Sequence, residues 1–562
     1  MARTAGTLRR QWRRPDPARS VGIAVVAVAA VALVVVPLLR LLQVSAEEGT
    51  ASLSRVLSEP GLATAAWHSL LLALVVPLLA VPLGAWMAVL IRGATRFRTG
   101  LRIAVVLPLV VPQFVLGYSW QQAYGRAGFT DSLVGWHWAG LNGPWGVILV
   151  LVVDAAPIAY LLTAVGLATR AQPEMERAAR MSGASGWTTL RTVTVPLLGP
   201  SLVAATALIF VGALEAFAVP QVLGTPAGFN TVTTRVYANL SRGSDPAAFA
   251  DAVTLALLLV LAALIVLIPA DLVLGPRLRT VRGGQTAAAA GNLRPTATQR
   301  IGIAALAGYT VVGVALPTIA VAAASITKAT GLPPTPGNWT LTNFSESLSG
   351  PVVQAIGNSV VLAAAAATGA TGLGVLVAVC ERRLSGRLLA TAIIATFAVP
   401  GTTLAVGLSI AYGPALGGTV VLILLAYLAK FWAIAHRTSA AALDRFPDAE
   451  RQAARISGAG PAVAAGTIWL PAMRPALIGG WLLVFIAGLH EVTMSSLLYS
   501  FGNETLAVAV LNRQELGDIG GTAALSVILT VMVAVAAVPV WLLLRPRDRT
   551  TRRLAASSGQ LG

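Results

Sequence analysis

Long apolar segments recur along the whole chain, separated by short polar stretches that are rich in arginine. A helix that crosses a bilayer needs about 20 mostly apolar residues. Segments that meet this length lie at roughly 21–43, 66–91, 103–122, 144–168, 199–222, 251–275, 301–325, 353–380, 388–412, 417–437, 475–499 and 520–544. The pattern predicts an all-α, polytopic membrane protein with about twelve transmembrane helices.

The first apolar segment has two interpretations, because it follows an arginine cluster and ends near Val44-Ser45-Ala46. It could be a signal peptide or a retained helix. The apolar core of a signal peptide is about 7–15 residues long. The run that starts at Val21 is longer than that, so its length favours a retained helix.

Composition supports a membrane protein and narrows the alternatives. The chain of 562 residues is 56% hydrophobic and 11% charged, with a mean hydropathy of +0.77. Soluble proteins have about 25% charged residues, so a soluble enzyme, a disordered chain and an ordinary nucleic-acid binder are excluded. The single cysteine, Cys380, excludes an intramolecular disulfide. The four histidines have no metal-ligand spacing, so no metal site and no catalytic residue is expected.

The formal charge of +18 has a topological explanation. If the N-terminus is cytoplasmic and the segments alternate, 32 of the 40 basic residues fall on the cytoplasmic side and seven on the other. Lys430 lies inside a segment. Cytoplasmic loops of membrane proteins accumulate arginine and lysine, so the split predicts that both termini are cytoplasmic. The expected surroundings are a lipid bilayer, and no nucleic-acid partner is needed.

Two cytoplasmic stretches align without a gap and indicate an internal repeat. Gly183 and Gly458 have the same separation along the chain as Pro196 and Pro471. We therefore predict a tandem duplication in one membrane orientation, with halves related by a pseudo-twofold axis along the membrane normal. The predicted units are a tail at 1–20, a first half at 21–275, a linker at 276–300, a second half at 301–545 and a tail at 546–562.

The repeated stretch resembles the cytoplasmic loop of the membrane component of binding-protein-dependent ABC importers, in a form with two fused halves. That loop reads E-A-A, three residues, G, nine residues, I-x-L-P. The matching residues are Ala178, Ala179, Gly183 and Pro196 in the first copy, and Ala453, Ala454, Gly458, Leu470 and Pro471 in the second. The family glutamate is replaced by Arg177 and Gln452, and acids lie nearby at Glu176 and Glu450.

The residues of this loop favour a short helix that ends before the next span. Alanine favours helix, glycine breaks it where φ is positive or where close approach is needed, and Pro196 is expected to end the segment. The resemblance implies that both loops dock on ATPase subunits. The alternative is an ordinary interfacial loop whose arginines lie among lipid headgroups.

The resemblance also implies partners for the chain. They are two ATPase subunits, most simply a homodimer that binds ATP-Mg, and an extracytoplasmic solute-binding protein. The location would be the bacterial inner (plasma) membrane. The chain contains no G-x-x-x-x-G-K-[ST] motif, so ATP hydrolysis is expected in a separate chain and no cofactor in this one.

Two acids lie at nearly the same place in the fifth predicted helix of each half, Glu215 and Glu491. Charged residues inside a bilayer are costly, and each suggests a function. The sequence around them resembles permeases for ferric iron, which implies two acids near the translocation path and a cationic cargo. Thiamine, polyamines and phosphonates are alternative cargoes. The acids could instead only hydrogen-bond between helices, or they could serve a secondary transporter driven by an ion gradient.

Asp154 and Lys430 are separated by almost the same stretch of chain as the two loop glycines, so they occupy nearly equivalent positions in the two halves. Pairing lowers the cost of burying opposite charges. We therefore predict an ion pair between the halves. The alternative is that either side chain snorkels or lines water.

Overall fold

The computed structural model describes residues 17–59, 61–93, 98–170, 173–241, 245–279, 297–380, 396, 399–444, 456–458 and 460–544. Helices dominate this part of the chain, and the two residues Thr327 and Trp339 form an isolated bridge. The predicted tails lie almost entirely outside the described residues, and so does most of the predicted linker. Helices extend into that linker from both sides, to Arg279 and from Ala297.

In the first half, runs of shorter helices separate the long ones. Its α-helices are α1 (Pro17–Ala30), α2 (Val36–Glu48), α3 (Thr50–Ser58), α4 (Leu62–Gly93), α5 (Arg98–Val106), α6 (Gln113–Tyr124), α7 (Phe129–Val134), α8 (Pro144–Arg170), α9 (Pro173–Met181), α10 (Gly186–Thr189), α11 (Val195–Leu214), α12 (Val232–Ser241) and α13 (Pro246–Arg279).

The second half repeats the order of long helices. Its described α-helices are α14 (Ala297–Thr310), α15 (Leu316–Ser325), α16 (Thr342–Ser347), α17 (Gly350–Cys380), α18 (Gly401–Leu416), α19 (Val420–Asp444), α20 (Pro461–Ala464), α21 (Leu470–His490), α22 (Thr493–Leu498), α23 (Leu506–Glu515) and α24 (Ile519–Leu544).

The all-α, polytopic fold is confirmed, but the number of spans is lower than predicted within the described residues. Ten helices are long and apolar enough to cross a membrane, or eleven if one bent pair counts as a span. The bent pair replaces the predicted span 103–122: Arg98–Val110 and Gln113–Val134 meet at 98°. The predicted span 388–412 lies partly outside the described residues, and α18 is its described part.

Each half is built on the same close contact between two long helices, α4 with α8 and α17 with α19. A glycine makes the approach possible in both. A Cβ atom at Gly84 would lie 2.5 Å from the backbone nitrogen of Tyr160, and one at Gly374 would lie 2.7 Å from that of His436. Small residues let membrane helices approach this closely. The equivalent glycines therefore fix the same packing in both halves.

The first span of each half packs against the opposite half. The helices α1 and α2 contact α17 and α18 of the second half, and α2 also contacts α13. In return, α15 contacts α6 and α14 contacts α4 and α5 of the first half. The two halves are therefore interlocked by exchanged first spans, which hydropathy did not predict.

A π-helical turn interrupts each exchanged span just before a proline. The turns are Val31–Val35 before Pro37 and Val311–Ala315 before Pro317. Proline has no backbone N–H, so the carbonyl one turn before it loses its usual donor. The wider π-helical turn shifts the hydrogen bonds of the neighbouring residues, but some carbonyl groups still lack a backbone donor. Buried carbonyl groups need hydrogen-bond donors, and here side chains of the opposite half supply them. The Tyr412 hydroxyl donates to Ala32 O at 2.6 Å, and the Tyr124 hydroxyl donates to Val312 O at 2.6 Å.

A second pair of equivalent contacts lies where an apolar segment turns back into the bundle. The Val232 amide donates to Ser69 Oγ at 2.9 Å, and the Leu506 amide donates to Ser359 Oγ at 2.7 Å. Each serine thereby satisfies one of the free amides at the start of α12 or α23. The halves thus match in local hydrogen bonds as well as in helix order.

Candidate translocation and coupling sites

The third apolar segment of each half breaks at a proline. Pro112 and Pro400 have the same backbone angles, φ −55° and ψ 141°, and a helix starts at the next residue, Gln113 or Gly401. Proline suits this place because its fixed φ is compatible with a helix start and its missing N–H is not needed there. At the first break the helices on either side meet at 98°. Charged groups lie beside both prolines.

At the first-half junction, which we define by Pro112, Gln113 and Asp154, a carboxylate is paired within its own half. The side-chain amide of Gln113 donates to Asp154 Oδ2 at 3.0 Å. Asp154 lies in α8, which packs directly against α4. An amide donor supports the carboxylate without supplying an opposite charge.

At the second-half junction, which we define by Val399, Pro400, Gly401 and Lys430, the charges join the two halves. The Lys430 ammonium donates to Glu215 Oε2 at 2.8 Å and to Oε1 at 3.2 Å.

The same ammonium also donates to Val399 O at 3.0 Å, and the Gly401 amide donates to Glu215 Oε2 at 3.1 Å. The side chains of Lys430 and Glu215 are only 10% and 22% exposed. Glu215, which follows the last residue of α11, therefore joins the end of this helix to the break at Pro400 in the opposite half.

The predicted ion pair between Asp154 and Lys430 is wrong. Asp154 bonds to Gln113, and Lys430 bonds to Glu215 and Val399. Two equivalent residues related by a twofold axis face each other only if they lie on that axis. Away from the axis, a residue of one half faces a different position of the other half. Asp154 and Lys430 lie away from the axis, each beside the break of its own half.

Glu491, the equivalent of Glu215, turns back onto its own half. It accepts from the Met494 amide at 2.7 Å and from the Ser495 amide at 2.9 Å, which caps α22. The Ser495 hydroxyl also donates to it at 2.9 Å. The two predicted path acids therefore have different surroundings.

A cavity of about 230 Å³ lies beside the first-half junction. It is walled mostly by apolar side chains of α4, α8 and α11, and its polar lining residues are Gln113, Asp154 and Glu215. Glu491 is not among the lining residues. Within the described residues there is no group of three or more histidine, cysteine, aspartate and glutamate side chains that could hold a metal ion.

The first coupling loop is a short helix followed by a tight turn. The helix α9 spans Pro173–Met181, and Gly183 follows at a φ of +86°. The Ala184 amide donates to Ala179 O at 3.0 Å, which closes the end of the helix. Ala178 is exposed, as is Met181 at 84%. The loop thus presents one small and one large apolar side chain to its surroundings.

Glu176 fastens this loop to the bundle. Its Oε1 accepts from Arg92 at 3.0 Å, at the end of α4, and from the Thr194 hydroxyl at 3.1 Å. The sequence resemblance placed the family glutamate one residue later, at Arg177. In this chain the anchoring carboxylate is therefore the preceding residue.

Removing that anchor is expected to loosen α9 without unfolding the bundle. In Arg92→Gln, the charge-assisted bond is lost at a cost of about 1–2 kcal/mol. Amide hydrogen exchange in 173–184 should then accelerate by about tenfold, which a loss of about 1.4 kcal/mol produces. Arg180→Gln, an exposed change on the same helix, should leave exchange unaltered; equal acceleration in both variants would contradict the anchor.

The second loop is described only in part. Glu450, Ala453 and Ala454 lie outside the described residues. Gly458 has a φ of +74°, and Ile456 before it is 87% exposed. Ile456 precedes Gly458 by the same spacing as Met181 precedes Gly183. The described end of this loop therefore matches the first loop.

The prediction that Pro196 ends the loop segment is wrong, because one helical span runs from Gly186 to Leu214 and includes Pro196. A π-helical turn, Leu190–Thr194, precedes the proline and absorbs its missing donor. In the second half, the turn Ala465–Trp469 precedes Leu470 and Pro471, which begin α21. Both spans therefore start nearer the loop than predicted and connect it rigidly to the bundle.

Sequence reasoning missed the partners of the charged groups. Gln113 and Gly401 follow the breaks, and Arg92 and Thr194 hold Glu176. One signal was present in the sequence: Val-Pro occurs at 111–112 and at 399–400, inside two apolar runs at matching places. A proline within a membrane segment marks a break or kink.

Comparison with known proteins identifies relatives over most of the chain. The ferric transport system permease protein of Actinobacillus pleuropneumoniae is 25% identical over 450 residues, which is 77% of this chain and 64% of that protein. A probable ABC transporter permease protein of Sinorhizobium fredii is 26% identical over 92% of this chain and 94% of its own length. The molybdenum transport system permease protein of Escherichia coli is 32% identical over 30% of this chain and 78% of its own length.

A family model described as the binding-protein-dependent transport system inner membrane component matches residues 80–279 and 370–553. One match falls in each half, and both contain a coupling loop and the spans around it. This chain, which covers less than two thirds of the ferric relative from Actinobacillus, therefore belongs to the family of binding-protein-dependent transport system inner membrane components.

Proposed function

We propose that this chain is the permease of an ATP-driven importer, which takes a solute from an extracytoplasmic binding protein and passes it to the cytoplasm between its two halves. The observation that carries the proposal is the pair of equivalent loops. Each presents an exposed apolar residue, Met181 or Ile456, two positions before a glycine with positive φ. Exposed apolar side chains of this kind indicate a protein interface.

Two ATPase subunits fit the two loops, one at each. Because the loops are related by the internal repeat, the simplest partner is a homodimer that presents the same cleft twice. ATP-Mg would bind there and be hydrolysed in those separate chains. Arginine is concentrated on the side of the loops, which supports a cytoplasmic location for them and for both termini.

The first loop connects to a long helix that ends beside the other half, which gives a route for motion. The span Gly186–Leu214 begins next to the first loop, and Glu215 follows its last residue. A shift of the ATPases would therefore be passed through this span to the second-half junction. Alternating access of this kind is a two-state equilibrium that the partners bias.

Ferric iron is the cargo that we propose. The relatives named for ferric transport match most of this chain, whereas those named for molybdenum match about a third of it. The cavity beside the first-half junction carries two carboxylates, Asp154 and Glu215. Carboxylates attract a cation and repel an oxyanion such as molybdate. Thiamine, a polyamine or a phosphonate would be the alternatives.

The test is reconstitution with the ATPase and the extracytoplasmic binding protein that co-purify with this chain. We expect uptake of radiolabelled ferric iron that requires ATP and the binding protein, and no uptake of molybdate. An ion-gradient transporter would instead work in vesicles without the ATPase. Uptake driven by a proton gradient alone would overturn the proposal, whereas ATP-dependent uptake of a different solute would overturn only the cargo.

A further inference from the structure

One of the two equivalent junctions is bridged by a pair of charges and the other is not. At the second-half junction, Lys430 from one half is bonded to Glu215 from the other. At the first-half junction, Asp154 is bonded within its half to Gln113. Glu491, the equivalent of Glu215, caps α22 in its own half instead. The lysine and the aspartate occupy nearly equivalent positions in the two halves and have opposite signs.

The surroundings of the Lys430 ammonium are those of a bound cation. Both carboxylate oxygens of Glu215 and the carbonyl of Val399 lie within 3.2 Å of it. Oxygen atoms of this kind are the ligands that hard cations take. The ammonium differs from a free cation in being attached to α19, which belongs to the second half.

We propose that the Lys430 ammonium is a tethered cation that locks the two halves together by occupying the Glu215 carboxylate, and that it leaves Glu215 each time the halves separate. Separating the two groups in an apolar interior takes the nearest opposite charge away from each of them, which costs more free energy than keeping them in contact. The closed arrangement is therefore the resting one. A cargo cation that reaches Glu215 supplies the missing positive charge and makes the separation possible.

A second hydrogen bond to Glu215 belongs to the same lock. The Gly401 amide, at the start of α18, also donates to Glu215 Oε2 at 3.1 Å. A single carboxylate from the first half thus holds both the cation of α19 and the first turn of α18. Opening would release these two elements of the second half together.

The test measures access to the cavity in the full chain, reconstituted in lipid vesicles. Gly212 lines this cavity, and a Cβ atom added there would meet nothing within 4 Å. The reporter is Gly212→Cys in a Cys380→Ser background, and the readout is the rate of labelling by N-ethylmaleimide, a neutral reagent. The lock rests on the proposed function in one respect, namely that the interface between the halves is the one that opens. Labelling needs neither ATP nor cargo, so the lock and the proposed function can fail separately.

We expect Lys430→Met to raise the labelling rate by at least about tenfold, because the closed population is no longer favoured by the pair. Removing a positive charge would by itself make the nearby thiol less reactive, so an increase reports opening. Lys430→Arg, which keeps a long cation, should stay within about threefold of the parent. An unchanged rate in Lys430→Met would overturn the lock.

A matched control separates the lock from a general change in cavity charge. Asp154→Asn removes a carboxylate of the same cavity that is paired within its own half. It measures how far the loss of one negative charge alone raises the reactivity of the thiol, and that increase should stay within about threefold of the parent. Glu215→Gln should instead resemble Lys430→Met. If Lys430→Met does not fold, Glu215→Gln decides the question; equal rates in Glu215→Gln and Asp154→Asn would also overturn the proposal.

Discussion

Replacing Met181 and Ile456 together with glutamate is expected to detach the ATPase while leaving the chain folded. Both side chains are more than four-fifths exposed, so the change disturbs no packing in the chain itself. In a complex they would fill apolar clefts, where two lost anchors and two buried charges cost at least about 3 kcal/mol in total. The ATPase should then bind at least about 100-fold more weakly, measured by co-purification and by titration of the detergent-solubilised complex.

The control for this variant is Leu516→Glu. Leu516 is 83% exposed, and it lies between α23 and α24, on the side of the chain that we place away from the ATPase. It should leave binding at the parental level. The single variants Met181→Glu and Ile456→Glu should bind the ATPase with an affinity between those of the parent and the double variant, because each removes one of two equivalent contacts. Full retention of the ATPase by the double variant would refute the docking of both loops.

Gly374→Ala is expected to destabilise the second half strongly. The added methyl would lie 2.7 Å from the backbone of Ala435 and His436, and backbone atoms cannot move aside as a flexible side chain can. Overpacking of this kind costs about 3 kcal/mol. The apparent melting temperature in detergent should fall by about 5–10 °C.

The matched control lies on the same helix, and there the same substitution is expected to raise stability rather than lower it. At Gly357 an added Cβ would meet nothing within 4 Å. Gly357→Ala should therefore gain about 0.5–1 kcal/mol from the better helix propensity of alanine. A fall in melting temperature of the same size in both variants would contradict the role of Gly374 in the contact of α17 with α19.

Much of the architecture could be predicted from the sequence, because apolar length and internal repetition are local properties of the chain. The long helices, their all-α class and their duplication followed from these properties alone. The turn glycines Gly183 and Gly458 were also predictable, since a short helix that has to end favours a residue with access to positive φ.

The breaks and the partners could not be predicted in the same way. Hydropathy measures whether a segment is apolar, but not the direction in which it runs, so the segment around Pro112 was interpreted as one straight span. The choice of Glu215 rather than Asp154 as the partner of Lys430 depends on how the halves face each other. That arrangement is a property of tertiary packing, on which the spacing of the repeat carries no information.

The exchange of first spans has a consequence for synthesis on the ribosome. The helices α1 and α2 leave the ribosome before α17 and α18, against which they pack and which belong to the second half. Until then the Ala32 carbonyl, freed by the turn before Pro37, lacks the hydroxyl of Tyr412. The helices α14 and α15, in contrast, meet a first half that has already been made. Assembly is thus ordered in time although the two halves match in structure, and α1 and α2 can complete their packing only after part of the second half has been made.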